Sequence, residues 1–511
     1  MSLLVILHIA IFGLLIVTSD DSLQVQYTPD DGYYYLQLAK NFSKLGLWTF
    51  DSGHSLTSGF HPLWAYLLSL IHRVGEPSSS LFVQYGVICS SLVTVLSLLI
   101  AWTHGLHFKK PFFLLLLALM ASSSNFAINS VSVVEWPVVI LLSMTYCMLY
   151  RRFFVSDSSV VGVVALFASG FAGSLARSDF GLLPLSIFVA NLLLSVIGRD
   201  NRAILASSGL MGAVAGVLST LVHNYLFSGS LLQSSARMKN HWAQFYGPNY
   251  LGVVGIFIDT VGLGGLAMLL AATSLLGLVS LGQDGFSLFF RKLRDSLGGH
   301  CRNSCDCSSF LGGALCVAGY GLFYLGTPAI QPWYSASLAV PIFLLLVSLS
   351  SCVERLFGSS ALRVVSSVMG VVFIANNVIG VYPLGANSPW PHQSVMLRAG
   401  KYLGRQEIGG LVGSWNAGII GYYSGGDVIN LDGLVNNEVY EYAANNDLPS
   451  YVESQGIKYV VDFETVLEDE TRRQRGGFDD QAFVRNLKPR VVFDESHYYW
   501  NHLTLYEFTQ E

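Results

Sequence analysis

The stretch FHPLWAYLLSLI, residues 60–71, decides how the whole chain is threaded. It is apolar, yet twelve residues coiled as a helix reach about 18 Å, well short of the roughly 30 Å hydrocarbon core of a bilayer. A helix lying on the outer membrane surface accommodates it. Reading it as a span instead would reverse every later loop and move the basic pairs to the opposite side of the membrane.

Outward from this stretch the chain is a succession of apolar runs of about bilayer length. They cover residues 3–17, 81–103, 111–130, 131–150, 159–176, 180–198, 203–222, 251–281, 310–330, 333–353 and 364–384. The first run reads as a transmembrane helix rather than a signal peptide, because no basic residue precedes it and no clear small-residue cleavage site follows. The run at 251–281 contains Asp259 and is expected to begin at the interface. Composition agrees: 52% of the 511 residues are hydrophobic and 12% charged, against roughly a quarter charged in soluble domains. The formal net charge is only -5 and the basic residues are scattered, which excludes the electrostatic footprint of a nucleic-acid partner.

With the N-terminus in the cytoplasm, the cytoplasmic loops hold Lys109, Lys110, Arg151, Arg152, Arg199, Arg202, Arg291, Lys292, Arg294, Arg302, Arg355 and Arg363. The outer side holds Lys40, Lys44, Arg73, Arg177, Arg237 and Lys239. Twelve against six is the asymmetry expected of a correctly oriented chain. The tail changes in kind, with ten Lys or Arg, many acidic residues and short apolar runs. Strands are predicted at 411–415, 428–431 and 457–461, and a helix at 448–455. The fold class expected is a polytopic α-helical membrane protein of about eleven transmembrane helices with outer-side juxtamembrane helices, plus a C-terminal soluble α/β domain. Residues 1–384 form the transmembrane domain, with 19–80 as its first outer loop, and residues 385–511 an extracytoplasmic domain. The localisation expected is the inner or plasma membrane.

The seven cysteines lie in spans (Cys89, Cys147, Cys316, Cys352) or in one cytoplasmic loop (Cys301, Cys305, Cys307). No disulfide framework is therefore expected on the outer side, and the spacing of the loop cluster fits no common zinc pattern.

Residues with chemical potential collect on the outer side. TPDDGYYYLQLAKNF places Asp30, Asp31 and Tyr35 at the start of an amphipathic helix. An acidic pair after Pro29 favours a helix N-terminus by capping; alternatively, one carboxylate is a base toward an acceptor hydroxyl while the other orients it or helps hold a metal. HSLTSGFHPLW carries His61 close to the interface, where the ordinary reading is a hydrogen-bonded loop residue. Glu135 in SVVEWP, and Arg177 with Asp179 in LARSDF, are charges that an apolar chain avoids without a reason. Arg177 and Asp179 read equally as a structural ion pair. Arg237 and Lys239 in HNYLFSGSLLQSSARMKN could neutralise a phosphate, or form an ordinary basic loop near anionic head groups. Trp333 and Tyr334 in QPWYSA read as aromatic belt or pocket wall.

Taken together, DDGYYYLQLAKNF, GFHPLW, the AR-x-D of Ala176 to Asp179, the loop Asn224 to Lys239 and SWNAGIIGYYSGGDVINLDGLVNN resemble the GT-C superfamily. These polytopic glycosyltransferases include the protein O-mannosyltransferases and the lipid A aminoarabinose transferase, and the likeness is closest to bacterial members. Two departures stand out: the usual small residue near Glu135 is less plain, and Leu232-Gln233 replaces a frequent Pro. The resemblance implies an inverting transferase of hexosyl or pentosyl type. It would move one sugar from a polyprenyl-phosphate donor, a membrane lipid, to a glycan, lipid or protein acceptor outside the cytoplasm. Asp31 would be the base with Asp30 its partner, and Arg237 and Lys239, then Arg177, would hold the phosphate. Tyr35, His61, Glu135, Trp333 and Tyr334 would line the pocket. A divalent metal (Mg or Mn) on Asp30 and Asp31 is left open. The rival readings are a transporter or flippase of lipid-linked sugars and a noncatalytic scaffold; against the first, no internal repeat is visible and the polar residues cluster toward one face.

Overall fold

The computed structural model describes residues 2–107, 124–155, 159–196, 203–260, 304–345, 388–406, 408–478, 481–493 and 500–509. Outside these lie the expected span at 364–384, Cys301, Cys352 and the loop residues Lys109, Lys110, Arg199, Arg202, Arg291, Lys292, Arg294, Arg302, Arg355 and Arg363.

Among the described residues, four helices are long and apolar enough to cross a bilayer: Ser79–Thr103, Trp136–Val155, Ser178–Val196 and Ala203–Ser228. Shorter apolar helices cover Ile6–Thr18, Val160–Ala176, Tyr250–Thr260, Ser308–Tyr324 and Pro332–Leu345. The chain is an integral membrane protein. Small residues let two of these helices approach closely, as is common where lipid offers no hydrophobic driving force. A Cβ on Gly170 would lie 2.2 Å from the Gly209 carbonyl oxygen, and one on Gly212 would lie 2.1 Å from that of Phe167.

The deciding stretch forms the helix Pro62–Gly75, with Pro in its first turn where a missing N–H costs nothing. Trp64, Ala65, Leu68 and His72 are buried on one face, and Leu70 and Val74 are exposed on the other. At 14 residues the helix is too short to cross a bilayer.

The structure turns the expected boundary between the runs at 111–130 and 131–150 into an irregular segment: the helix Ser124–Asn129 ends, and the second helix starts later than expected, at Trp136. Val133 there has φ 57°, a strained conformation for a β-branched residue. The segment's backbone is used: the Val133 carbonyl accepts from Trp64 Nε1 at 2.9 Å, and Glu135 is left at the head of the next helix.

The tail is the expected α/β unit. Strands β1 (Leu411–Ser414), β2 (Val428–Asn430), β3 (Ile457–Phe463), β4 (Leu487–Phe493) and β5 (Leu503–Phe508) form one sheet in the order β2-β1-β3-β5-β4. β1 runs parallel to β2 and β3, while β5 is antiparallel to β3 and β4. The helix Ala417–Ser424 connects β1 to β2. Val412, Ile429, Val460 and Leu505 fill the core.

This unit packs onto the segment between the first two apolar helices. Lys401 pairs with Asp21 at 2.6 Å, the Tyr422 hydroxyl donates to the Ser79 carbonyl at 2.7 Å, and the Asn437 N–H donates to the Leu56 carbonyl at 3.1 Å. Gly59 of the GFHPLW motif marks the tightest junction. A Cβ there would fall 1.6 Å from the Leu434 carbonyl oxygen and 2.7 Å from Ser234 Oγ, so only glycine lets these three segments meet.

Candidate active site

A cavity of about 420 Å³ opens where residues 31–61, the helix Ser234–Ala243, the ends of several apolar helices and the tail converge. Its lining includes Asp31, Tyr35, His61, Glu135, Arg177, Lys239, Trp333 and Tyr334. Eight residues singled out across more than 300 positions of sequence thus surround one space.

The helix Asp30–Leu45 sets the first wall. Consecutive residues on a helix point about 100° apart, whereas residues four apart share a face. Asp31 and Tyr35 therefore look into the cavity together. Burial pushes the Asp31 carboxyl up to about 6; the Lys239 ammonium pulls it down and the Glu135 carboxylate pushes it up. The Tyr35 hydroxyl accepts the His61 N–H at 3.2 Å.

The second wall is a closed charge network. Arg177 Nη1 donates to Glu135 at 2.7 Å, Nε to Asp179 at 2.9 Å, and Nη2 to the Tyr324 hydroxyl at 3.0 Å. Ser337 Oγ donates to Asp179 at 3.1 Å, and the Tyr324 hydroxyl donates to the same carboxylate. The guanidinium also lies 4.8 Å from the Tyr334 ring centre. His61 Nε2 is 3.8 Å from Glu135, and burial holds its imidazole below the usual value.

Lys239 stands between the walls, donating to the Tyr334 hydroxyl at 2.5 Å with its ammonium 5.2 Å from that ring's centre. Its pKa is raised: burial alone would lower it, but Tyr334 and Asp31 outweigh that.

Two expected residues sit elsewhere. Asp30 is directed to the tail, where its carboxylate accepts the Gly418 and Ile419 N–H groups at 3.1 and 2.7 Å. It does cap a helix, but the cap belongs to Ala417–Ser424 rather than to its own helix. Arg237 is turned to the opposite face of its helix from the cavity, pairing with Glu441 and lying 3.8 Å over the Tyr440 ring. Arg237 and Lys239 are two positions apart, a spacing that cannot place both on one helical face.

The divalent metal left open on Asp30 and Asp31 does not fit the partners these two carboxylates have. Both Asp30 oxygens already accept backbone N–H groups, and Asp31 has an ammonium as its charged neighbour. Among the described residues, no group of three or more His, Cys, Asp or Glu could hold a metal ion.

The sequence reading missed the tail's share. Leu434 and Val435 complete the cavity wall. Just before them Asp432 accepts the Leu434 N–H at 2.7 Å and the Tyr34 hydroxyl at 3.4 Å; burial pushes its carboxyl up to about 7. Tyr324 was missed too, since a tyrosine closing an apolar run reads as aromatic belt. Gln233, noted only as a departure, donates to the Phe60 carbonyl at 2.6 Å.

Comparison with known proteins gives a fold. Residues 390–506 match a family model described as a domain of unknown function, DUF8728. No curated protein sequence matches the chain. Among solved structures, ArnT from Cupriavidus metallidurans bound to undecaprenyl phosphate is 12% identical at a TM-score of 0.52, with 98% of each chain covered. The Archaeoglobus fulgidus oligosaccharyltransferase, tethered to an acceptor peptide with an NVT sequon, is 13% identical at a TM-score of 0.51, covering 98% of this chain and 75% of that one. The same organism's AglB, in complex with an inhibitory peptide and a dolichol-phosphate, is 12% identical at 0.50, covering 100% and 74%. At such identities the likeness is one of architecture alone: the chain has the fold shared by ArnT and AglB.

Proposed function

We propose that this chain is an inverting glycosyltransferase that moves a single sugar from a polyprenyl-phosphate donor to an acceptor hydroxyl on the extracytoplasmic side of the membrane. The observation that carries the reading is the meeting of Asp31 and Lys239 in one cavity, within a fold whose solved examples hold undecaprenyl phosphate or dolichol-phosphate.

In the proposed step the acceptor oxygen attacks the anomeric carbon, and its proton passes to the Asp31 carboxylate. The bond from that carbon to the phosphate oxygen breaks, and polyprenyl phosphate leaves with the bonding electrons. A base raised to about 6 is ionised at neutral pH yet basic enough to take a proton in the transition state. Lys239 offsets the charge gathering on the leaving phosphate. Arg177 is neutralised by Glu135 and Asp179, so its part is to fix the wall and the aromatic faces of Tyr324 and Tyr334 against the sugar. Arg237 joins the phosphate only if it leaves Glu441.

The test is transfer in proteoliposomes given a panel of polyprenyl-phosphate pentoses and hexoses, with products identified by mass. Asp31→Asn should lower transfer by about 10²–10⁴-fold, the usual worth of a positioned general base, while still binding donor. Transfer at the wild-type rate by this variant would remove Asp31 from the mechanism.

A further inference from the structure

We propose that Asp30 is a positioning residue through which the C-terminal domain aligns the cavity; it docks that domain by a reciprocal helix cap and takes no proton and holds no metal. The inference rests on the reading of Asp31 as the base.

The cap is exchanged between the helix Asp30–Leu45 and two helices of the tail, Ala417–Ser424 and Gln393–Leu403. Asp30 accepts the first free N–H groups of the helix Ala417–Ser424, at Gly418 and Ile419, groups that have no partner within their own helix. In return, Gln393 of the tail sits at the start of the helix Asp30–Leu45. With its amide turned so that both ends are satisfied, its oxygen accepts the Asp30 N–H at 3.1 Å and its nitrogen donates to the Thr28 carbonyl at 2.8 Å. Gln393 is 3% exposed, so this bond is shielded from water.

Steric fit excludes a looser dock. A Cβ on Gly418 would lie 2.4 Å from the Asp30 carbonyl oxygen and 2.6 Å from its Oδ1. Four residues on, the Tyr34 hydroxyl continues the seam, donating to Asp432 at 3.4 Å and accepting from Asn430 Nδ2 at 3.3 Å. The same helix therefore presents Asp30 to the tail and Asp31 and Tyr35 to the cavity, while Tyr34 lines the cavity and bonds the tail at once. Because a helix turns as a rigid body, fixing Asp30 fixes Asp31 and Tyr35. The tail closes the circuit two residues beyond Asp432, where Leu434 and Val435 form cavity wall.

A helix cap needs a hydrogen-bond acceptor and no negative charge, whereas a base or a metal ligand needs the carboxylate. Asn supplies the acceptor without the charge. The experiment compares Asp30→Ala, Asp30→Asn and Asp31→Asn in the full-length purified chain by hydrogen exchange of segments 30–45 and 417–424, and by transfer from the same donor panel. Asp30→Ala should speed exchange in both segments and lower kcat about tenfold with little change in KM, matching the usual loss of an N-cap. Asp30→Asn should restore slow exchange and most of kcat, and Asp31→Asn should keep slow exchange while losing transfer. Unchanged exchange in Asp30→Ala, or Asp30→Asn as inactive as Asp31→Asn, would overturn the proposal. If wild type transfers no sugar from the panel, the exchange results still decide the docking role, and the transferase reading alone fails.

Discussion

The two walls of the cavity carry similar charges and use them differently. On one, Arg177 is bonded to Glu135, Asp179 and Tyr324, and Asp179 is bonded in turn to Ser337. On the other, Asp31 meets Lys239 and Glu135 through charge alone, and the Lys239 ammonium rests on a phenol. A network whose members satisfy one another has little left for a ligand, and its removal is felt in the fold. An acid and a cation held near each other without a shared bond are free to exchange partners when substrate arrives. The comparison separates charges that build the site from charges that serve it.

It breaks most readily at Arg177. Arg177→Met strands two buried carboxylates, and a loss of about 3–5 kcal/mol is expected, read as thermal unfolding of the purified protein in detergent. A variant as stable as wild type would mean that the network is not holding this wall.

A smaller effect, on rate rather than stability, is expected at the opposite wall. Lys239→Gln should lower kcat/KM by about 10²-fold, as when one electrostatic donor to a leaving group is lost, with unfolding unchanged. It also tests the base through pH. Asp31 must be ionised to act, so wild-type transfer should rise with pH through about 6 and level off above it. The Lys239 ammonium lowers that value, so its removal should move the acidic limb to higher pH. An acidic limb that stays in place would show that a different group limits the rate at low pH.

The smallest effect is expected where a charge pair faces water. Glu441 is 67% exposed in its contact with Arg237, and such pairs contribute about 0–1 kcal/mol. Glu441→Gln should leave both stability and transfer within a few-fold of wild type. A large gain in donor binding would mean that the pair holds Arg237 away from the phosphate.

Much of the architecture was legible because solvent sorts residues by type. Apolar length reveals helices that need lipid, and the shift in composition near residue 385 reveals an α/β unit whose first three strands and one helix lie close to where alternation and turn residues suggest. The helix near 60–71, too short to cross a bilayer, was legible by length alone. The extent of the break after Asn129 was not, because Val131, Val133 and Val134 are as apolar as any span; there the Val133 carbonyl accepts from Trp64 Nε1.

At the site, residue type was legible and direction was not. Asp30 and Asp31 are identical in chemistry and adjacent in sequence, and the pattern placed both at a helix N-terminus facing the outer side. Which carboxylate meets a ligand is set by the 100° between neighbours on a helix, together with what packs against each face. The sequence by itself determined that this chain lives in a membrane and that an α/β unit follows its apolar helices. Only the tertiary structure decided that Asp31 enters the cavity while Asp30 caps a helix almost 400 residues away, because such a bond depends on how two domains dock and leaves no local pattern in either segment.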